Sequence, residues 1–215
     1  MADTAPHRRS PLVRLADRLA AACDAPERIR LTEVPFLTHL TLRARPGTPG
    51  AEAAARALGT PLPTAPNTTT VSGDVEVLWM GPDDWLVVAP AGGKALRDAL
   101  EQALGGGDAT VVDVSAQRTV IEVAGADARD VLLKGCALDL HPRAFGAGRC
   151  AQTLVARAQV VLVARTDEPA YRVLVRASFA EYLAEWLLDA AAEYREEAPP
   201  DLGLQSGAAV AASPA

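Results

Sequence analysis

Lysine is nearly absent from this chain of 215 residues: Lys94 and Lys134 stand against 27 acidic side chains, and the formal net charge is -6. The other positive charges are arginines scattered along the length, with no basic stripe. Binding to phosphate backbones needs clustered Lys and Arg, so this distribution argues against a nucleic-acid partner. Aromatic residues are scarce too, at 4%, which leaves Ala, Val and Leu to build the interior. Cysteine occurs three times, as Cys23, Cys136 and Cys150. An odd, widely spaced set is not a disulfide framework and fits a reducing compartment. No Cys-x-x-Cys occurs, and His7, His39 and His141 lie far apart, so no compact set of three or four metal ligands is indicated. No apolar run approaches the roughly 20 residues that span a bilayer. The basic N-terminus is interrupted by Asp17 and lacks the apolar core of a signal peptide. A cytoplasmic protein with no membrane partner is the expectation.

What is present suffices for a core. Apolar residues make up 49%, and a chain this long forms one domain or two tightly packed halves. Ser10-Pro11 starts a helix bearing Leu12, Leu15 and Leu19 on one face, within an N-terminal helical arm of residues 1–26. A first strand is predicted from Leu31 to Arg43, bent at Pro35, then an Ala-rich helix from Thr48-Pro49 to Gly59. Strands Val75–Met80 and Trp85–Ala89 flank the turn-forming Gly81-Pro82-Asp83-Asp84. Leu96, Leu100 and Leu104 mark a helix ended by Gly105-Gly106-Gly107, and a strand Thr110–Val114 follows. The order β-α-β-β-α-β is that of a ferredoxin-like half.

A second half repeats it without a sixth strand. Its strands are Thr119–Val123, Thr153–Arg165 and Tyr171–Arg176, and its first helix is Asp127–Lys134. A last helix carries a Ser178/Glu181 capping box and an apolar face of Phe179, Leu183, Trp186, Leu187, Ala190 and Tyr194. The fold class is therefore α+β, two ferredoxin-like halves with the second incomplete. The halves cover about residues 27–115 and 116–195, and the acidic, then Pro- and Ala-rich segment 196–215 reads as a disordered tail.

Cofactor patterns fail one by one. Gly146-Ala147-Gly148-Arg149-Cys150-Ala151 matches a loose dinucleotide fingerprint but is followed by a strand rather than a helix. Gly92-Gly93-Lys94 lacks the phosphate-loop Gly at position 88 and the hydroxyl at 95. Asp83-Asp84 is a turn pair whose charge favours solvent. Cys136 follows Lys134-Gly135 at a helix end, where a small buried residue is expected rather than a nucleophile.

Asp113 ends an apolar strand, where an unpaired carboxylate is costly. Arg118 is its expected partner across the short connection, or else reaches across an interface. Trp79 and Trp85 flank the turn, and on the residues alone both belong in the core. His141, Arg143 and Phe145 lie in a long loop whose mixture of aromatic and arginine is typical of interface anchors.

The segments NTTTVSGDVEVLWMGPDDWLVVAP, from Asn67, and DVSAQRTVIEVAGADARDVLLKGCALDLHPRAFGAGRCAQT, from Asp113, resemble the gamma subunits of bacterial heterotetrameric sarcosine oxidases. These are small members of the folate-binding aminomethyltransferase superfamily, and the resemblance spans about residues 30–195. It implies a duplicated α+β architecture and a non-catalytic subunit that packs with alpha, beta and delta partners. The complex in that family demethylates sarcosine oxidatively to glycine, releasing hydrogen peroxide and formaldehyde or methylene-tetrahydrofolate. The resemblance puts FAD, FMN, NAD, tetrahydrofolate and zinc on the partner subunits and none on this chain. It also moves at least one of Trp79 and Trp85 toward an interface. Asp113 lies on a segment matching the superfamily's catalytic Asp-x-Ser, but its surroundings depart from the enzyme pattern, so that role is not carried over. The rival readings are a stand-alone folate-binding one-carbon transferase-like protein of the same fold and a domain like that of tRNA-modifying GTPases. The second would require an attached GTPase domain.

Overall fold

Alternation of apolar and polar residues along ten short strands sorts this chain into two antiparallel sheets. The structure, a computed structural model, describes residues 8–21, 27–165 and 169–195. Cys23 and the expected tail 196–215 lie outside the described residues. The elements in chain order begin with α1 (Ala16–Ala21), β1 (Arg30–Val34), β2 (Thr38–Arg43), α2 (Pro49–Leu58) and β3 (Thr69–Ser72). Next come β4 (Val75–Gly81), β5 (Asp84–Ala89), α3 (Lys94–Leu104), β6 (Thr110–Asp113) and β7 (Arg118–Ala124). The chain continues with α4 (Ala128–Leu133), β8 (Cys150–Val155), β9 (Ala158–Ala164), β10 (Ala170–Arg176), α5 (Ala180–Ala190) and α6 (Ala192–Arg195). One sheet has the order β3-β4-β5-β2-β6 and the other β1-β7-β10-β9-β8.

The period of two explains the layers. In β5, Trp85 and Val87 face the α2–α3 core with Leu40 and Leu42, while Leu86 and Val88 face the other sheet. In β10, Tyr171, Val173 and Val175 join the core beneath α4 and α5, while Leu174 faces Leu78 and Val120 between the sheets. The result is four layers, helices–sheet–sheet–helices, with three apolar interiors. Leu12, Leu15 and Leu19 of the N-terminal turn and α1 enter the interior under α4 and α5, so the arm docks on the second sheet.

Local signals account for several boundaries. Thr48 Oγ1 accepts from Ala51 N at 3.4 Å ahead of Pro49, and Gly59, at φ 68°, ends α2 in the left-handed region. Ser10 Oγ accepts from Leu12 N at 2.9 Å and donates to the Glu33 carboxylate at 2.5 Å, tying the arm to β1.

Three local expectations are corrected. The strand read from Leu31 to Arg43 is two strands in different sheets: β1 pairs with β7, and β2 pairs with β5 and β6. The break falls at Pro35, which has no N–H to give a ladder, and at Phe36, whose φ of 63° turns the chain. The strand read from Thr153 to Arg165 is a hairpin of β8 and β9 that turns at Ala156, φ 51°. The Ser178/Glu181 capping box does not form. A short 3-10 turn, Ala177–Phe179, precedes α5 instead, no side chain caps that helix, and Phe179 is exposed. The Leu183/Leu187/Ala190 face is buried as the spacing predicts.

The first correction carries the architecture. Read from the other edge, the first sheet runs β6-β2-β5-β4-β3 and the second runs β1-β7-β10-β9-β8. In each, the strand opening a ferredoxin-like unit has an antiparallel neighbour at the edge: β6 beside β2, β1 beside β7. The second unit is incomplete in chain order, and the strand before the first unit fills the open place.

Candidate functional site

The connection from β6 to β7 carries the sequence's best candidate residues, and its geometry is set by one serine. Asp113 Oδ1 accepts from Ser115 N at 2.9 Å and from Ser115 Oγ at 2.6 Å. These bonds hold the Asp113 carboxyl below the usual aspartate range. Ser115 Oγ in turn accepts from His39 N at 3.0 Å, and Val114 N donates to His39 O at 2.8 Å. The expected Asp113–Arg118 ion pair does not form: Arg118 Nη1 donates to Gln117 Oε1 at 2.7 Å, and the nearer hydroxyl takes the carboxylate.

His39, which sequence reasoning weighed only as a metal ligand, is buried at 1% exposure among apolar strands. Among the described residues neither ring nitrogen has a hydrogen-bond partner. Burial, with the Arg118 charge nearby, pushes its pKa down to about 4, so the ring is neutral at pH 7. Its signal in the sequence was its place between Thr38 and Leu40 on a strand whose alternate residues are core.

Arg118 lies directly opposite Arg176 in the β7–β10 ladder. Burial and the Arg176 charge push the Arg118 guanidinium below the usual arginine range, although it stays protonated. Both arginines line a cavity of about 630 Å³.

The other candidates are dispersed. Trp85 is core, with Nε1 donating to Pro63 O at 2.8 Å, and Trp79, opposite it in the ladder, is half-buried. Phe145 is not the exposed anchor its loop suggested, since it sits in the interior beneath α4 and α5. His141 and Arg143 are exposed, and a compact turn forms around them: His141 N donates to Asp139 Oδ1 at 2.9 Å and Arg143 N to His141 Nδ1 at 3.3 Å. Asp84 is half-buried rather than solvated, and burial pushes its pKa up.

Both described cysteines are buried, Cys136 beneath α4 and α5 and Cys150 between the sheets. Burial pushes the Cys150 thiol up to about 11, the reverse of what a thiolate nucleophile needs. Among the described residues no group of three or more His, Cys, Asp or Glu could hold a metal ion. No helix among them is long and apolar enough to cross a membrane.

Sequence reasoning missed an ion network between the sheets. Glu76 of β4, buried at 5% exposure, accepts from Arg165 Nη1 at 2.7 Å and lies 3.7 Å from Arg172 Nη1. Arg172 Nε donates to Glu122 Oε1 at 2.9 Å. The available signal was a charge at an inward position of an otherwise apolar strand, as in Val75-Glu76-Val77, Ile121-Glu122-Val123 and Tyr171-Arg172-Val173.

Two ferredoxin-like units packed sheet to sheet define a class, the aminomethyltransferase-like duplicated α+β fold. Aminomethyltransferase T of the glycine cleavage system from Bartonella henselae shares it, with a TM-score of 0.61 at 15% identity over 79% of this chain and 48% of that one. The sarcosine oxidase gamma subunit family model matches residues 44–193, and the chain belongs to that family. Sarcosine oxidase subunit gamma from Corynebacterium sp. strain U-96 is 46% identical over 198 residues, covering 90% of this chain and 95% of that protein. The corresponding subunit from an Arthrobacter species is 44% identical over 190 residues, covering 87% and 91%. Among solved structures, a chain of the heterotetrameric sarcosine oxidase from Corynebacterium sp. U-96, in complex with pyrrole 2-carboxylate, matches with a TM-score of 0.83. It is 43% identical, and the match covers 89% of this chain and 98% of that one.

Proposed function

We propose that this chain is the gamma subunit of a heterotetrameric sarcosine oxidase and contributes surface and scaffold rather than a catalytic group. The observation that carries this reading is similarity along nearly the whole length of both partners, 90% of this chain and 95% of its Corynebacterium relative. The interior supports a structural role. The buried thiols are held protonated or packed in apolar surroundings, and His39 is sealed and neutral. The alpha, beta and delta subunits are its partners, and FAD, FMN, NAD, tetrahydrofolate and zinc belong to them. The cytoplasm is its place. Exposed Arg143 and half-buried Trp79 are the residues through which it touches its partners, beside the arginines of the cavity.

The test is affinity capture of the tagged chain co-expressed with the other three subunits, together with peroxide formation from sarcosine. Capture of all three in equal amounts is expected, with lower peroxide formation when this chain is omitted. A chain that captures none of them, or that binds tetrahydrofolate alone with its own turnover, would replace this reading with the stand-alone transferase.

A further inference from the structure

Two guanidinium groups placed side by side with no carboxylate in ion-pair contact among the described residues are an unfinished arrangement. Arg118 and Arg176 are directly opposed across the β7–β10 ladder, where like charges destabilise a sheet. Both point to the face that carries Val120 and Leu174, the side turned toward the other sheet. That covering ends short of them, and there they line the 630 Å³ cavity. Gln152 and Gln159 add amides to the wall, and Leu154 and Leu174 add apolar floor and rim. The lining holds no acidic side chain, although the chain as a whole carries six more acids than bases. Among the described residues Arg118 donates to the neutral amide oxygen of Gln117, the Asp84 charge acts on it from beyond ion-pair distance, and no ion pair involves Arg176.

We infer that this cavity receives an acidic side chain of a partner subunit, whose carboxylate bridges Arg118 and Arg176 while an adjacent apolar residue covers Leu154. The inference rests on the subunit reading above and adds a place and a chemistry to it. A carboxylate accepts two guanidinium groups at once, removing their mutual repulsion and forming charge-assisted bonds. Leu154 is 51% exposed, an apolar rim that a protein segment covers and a small free anion does not. A second copy of this chain is a poor occupant, because two chains that each carry a net charge of -6 repel one another.

The experiment compares wild type with Arg118→Gln, Arg176→Gln and Arg176→Lys in the co-expressed complex, titrating salt over the captured assembly. Each Gln variant is expected to bind its partners about tenfold more weakly, with a flatter salt dependence, and the Lys variant to fall between. Gln variants that stay captured like wild type throughout the titration overturn this inference and leave the subunit reading standing. A wild-type chain that captures no partner overturns both. A second measurement needs no variant. Backbone amides of 152–156 and 174–178 should exchange more slowly in the complex than in the full chain alone, and equal exchange overturns the inference. Saturable thermal stabilisation of the full chain by succinate below about 1 mM would transfer the cavity to a small free anion and overturn the partner assignment.

Discussion

At the residue scale, His39 shows how a single side chain makes this fold sensitive to acid. In the unfolded chain its pKa is about 6.5, and in the native interior it is about 4. On acidification the unfolded chain takes up the proton first. The stability that His39 withholds from the unfolded state is therefore complete above about pH 6.5 and lost as pH falls toward 4. Integrated over that window the loss is on the order of 3 kcal/mol. Replacing His39 with Leu removes the titration together with two unpartnered polar atoms. We expect the His39→Leu urea midpoint to change much less between pH 7 and pH 4.5 than the wild-type midpoint does. An unchanged pH slope would show that other groups carry the acid sensitivity. Asp113 works in the same direction, since its lowered pKa also withdraws stability as pH falls, but only weakly because it is exposed and solvent screens its charge.

At the scale of elements, α5 and the end of α4 meet through a pair that neither could form alone. A Cβ built on Gly135 would lie 2.6 Å from Trp186 Cζ2, so the indole occupies the space that only glycine leaves open. Trp186→Ala should cost about 2–4 kcal/mol, at the lower part of the usual aromatic range because the ring is half-buried. Gly135→Ala should cost about 1–3 kcal/mol by overpacking. Because each change relieves the strain the other creates, the double variant should cost clearly less than the sum, as denaturant melts of all four proteins would reveal. Strict additivity would mean the two residues do not share that space. The Trp186 environment also marks what the sequence could reveal. The 3.6-residue repeat from Leu183 to Ala190 is a local pattern, and so are Thr48-Pro49 at the start of α2 and the turn after Gly81, which tightens to Pro82-Asp83 between β4 and β5. Phe36, Ser115 and Glu76 resist such reading because their partners are distant in the chain. The left-handed turn at Phe36 depends on two sheets meeting, the Ser115 hydroxyl that takes Asp113 is fixed by His39 N from 76 residues away, and Glu76 meets Arg165 only after both sheets exist. The arginine-lined cavity was half legible. Arg118 stood out beside Asp113, while its companion Arg176 became visible only through strand register.

At the scale of the molecule, two sheets with separate apolar linings are fastened by charge as well as by contact. Glu76 comes from one sheet, and Arg165, Arg172 and Glu122 belong to the other. Removing the buried carboxylate would leave partly buried guanidinium groups without a counter-charge, so Glu76→Ala should destabilise by about 3–5 kcal/mol. Glu76→Gln should cost less, since it keeps an acceptor. A Glu76→Ala protein that melts like wild type would show that water replaces the carboxylate there. The strand that completes the second sheet has a further consequence, one of timing during synthesis. β1 leaves the ribosome before any of the first unit, yet its partner residues from Val120 to Ala124 emerge only after that unit is finished. β2 to β6 can pair among themselves as they appear, but β1 must wait as an unpaired edge until β7 arrives, and closing so long a loop is slow. During that interval a strand with a free ladder is open to pairing with another nascent chain. Ser10, which bonds the Glu33 carboxylate and caps Leu12 N, can bring the arm's turn against β1 as soon as that strand has emerged. The N-terminal arm is thus placed to act as a local guard on the strand that waits longest for its partner.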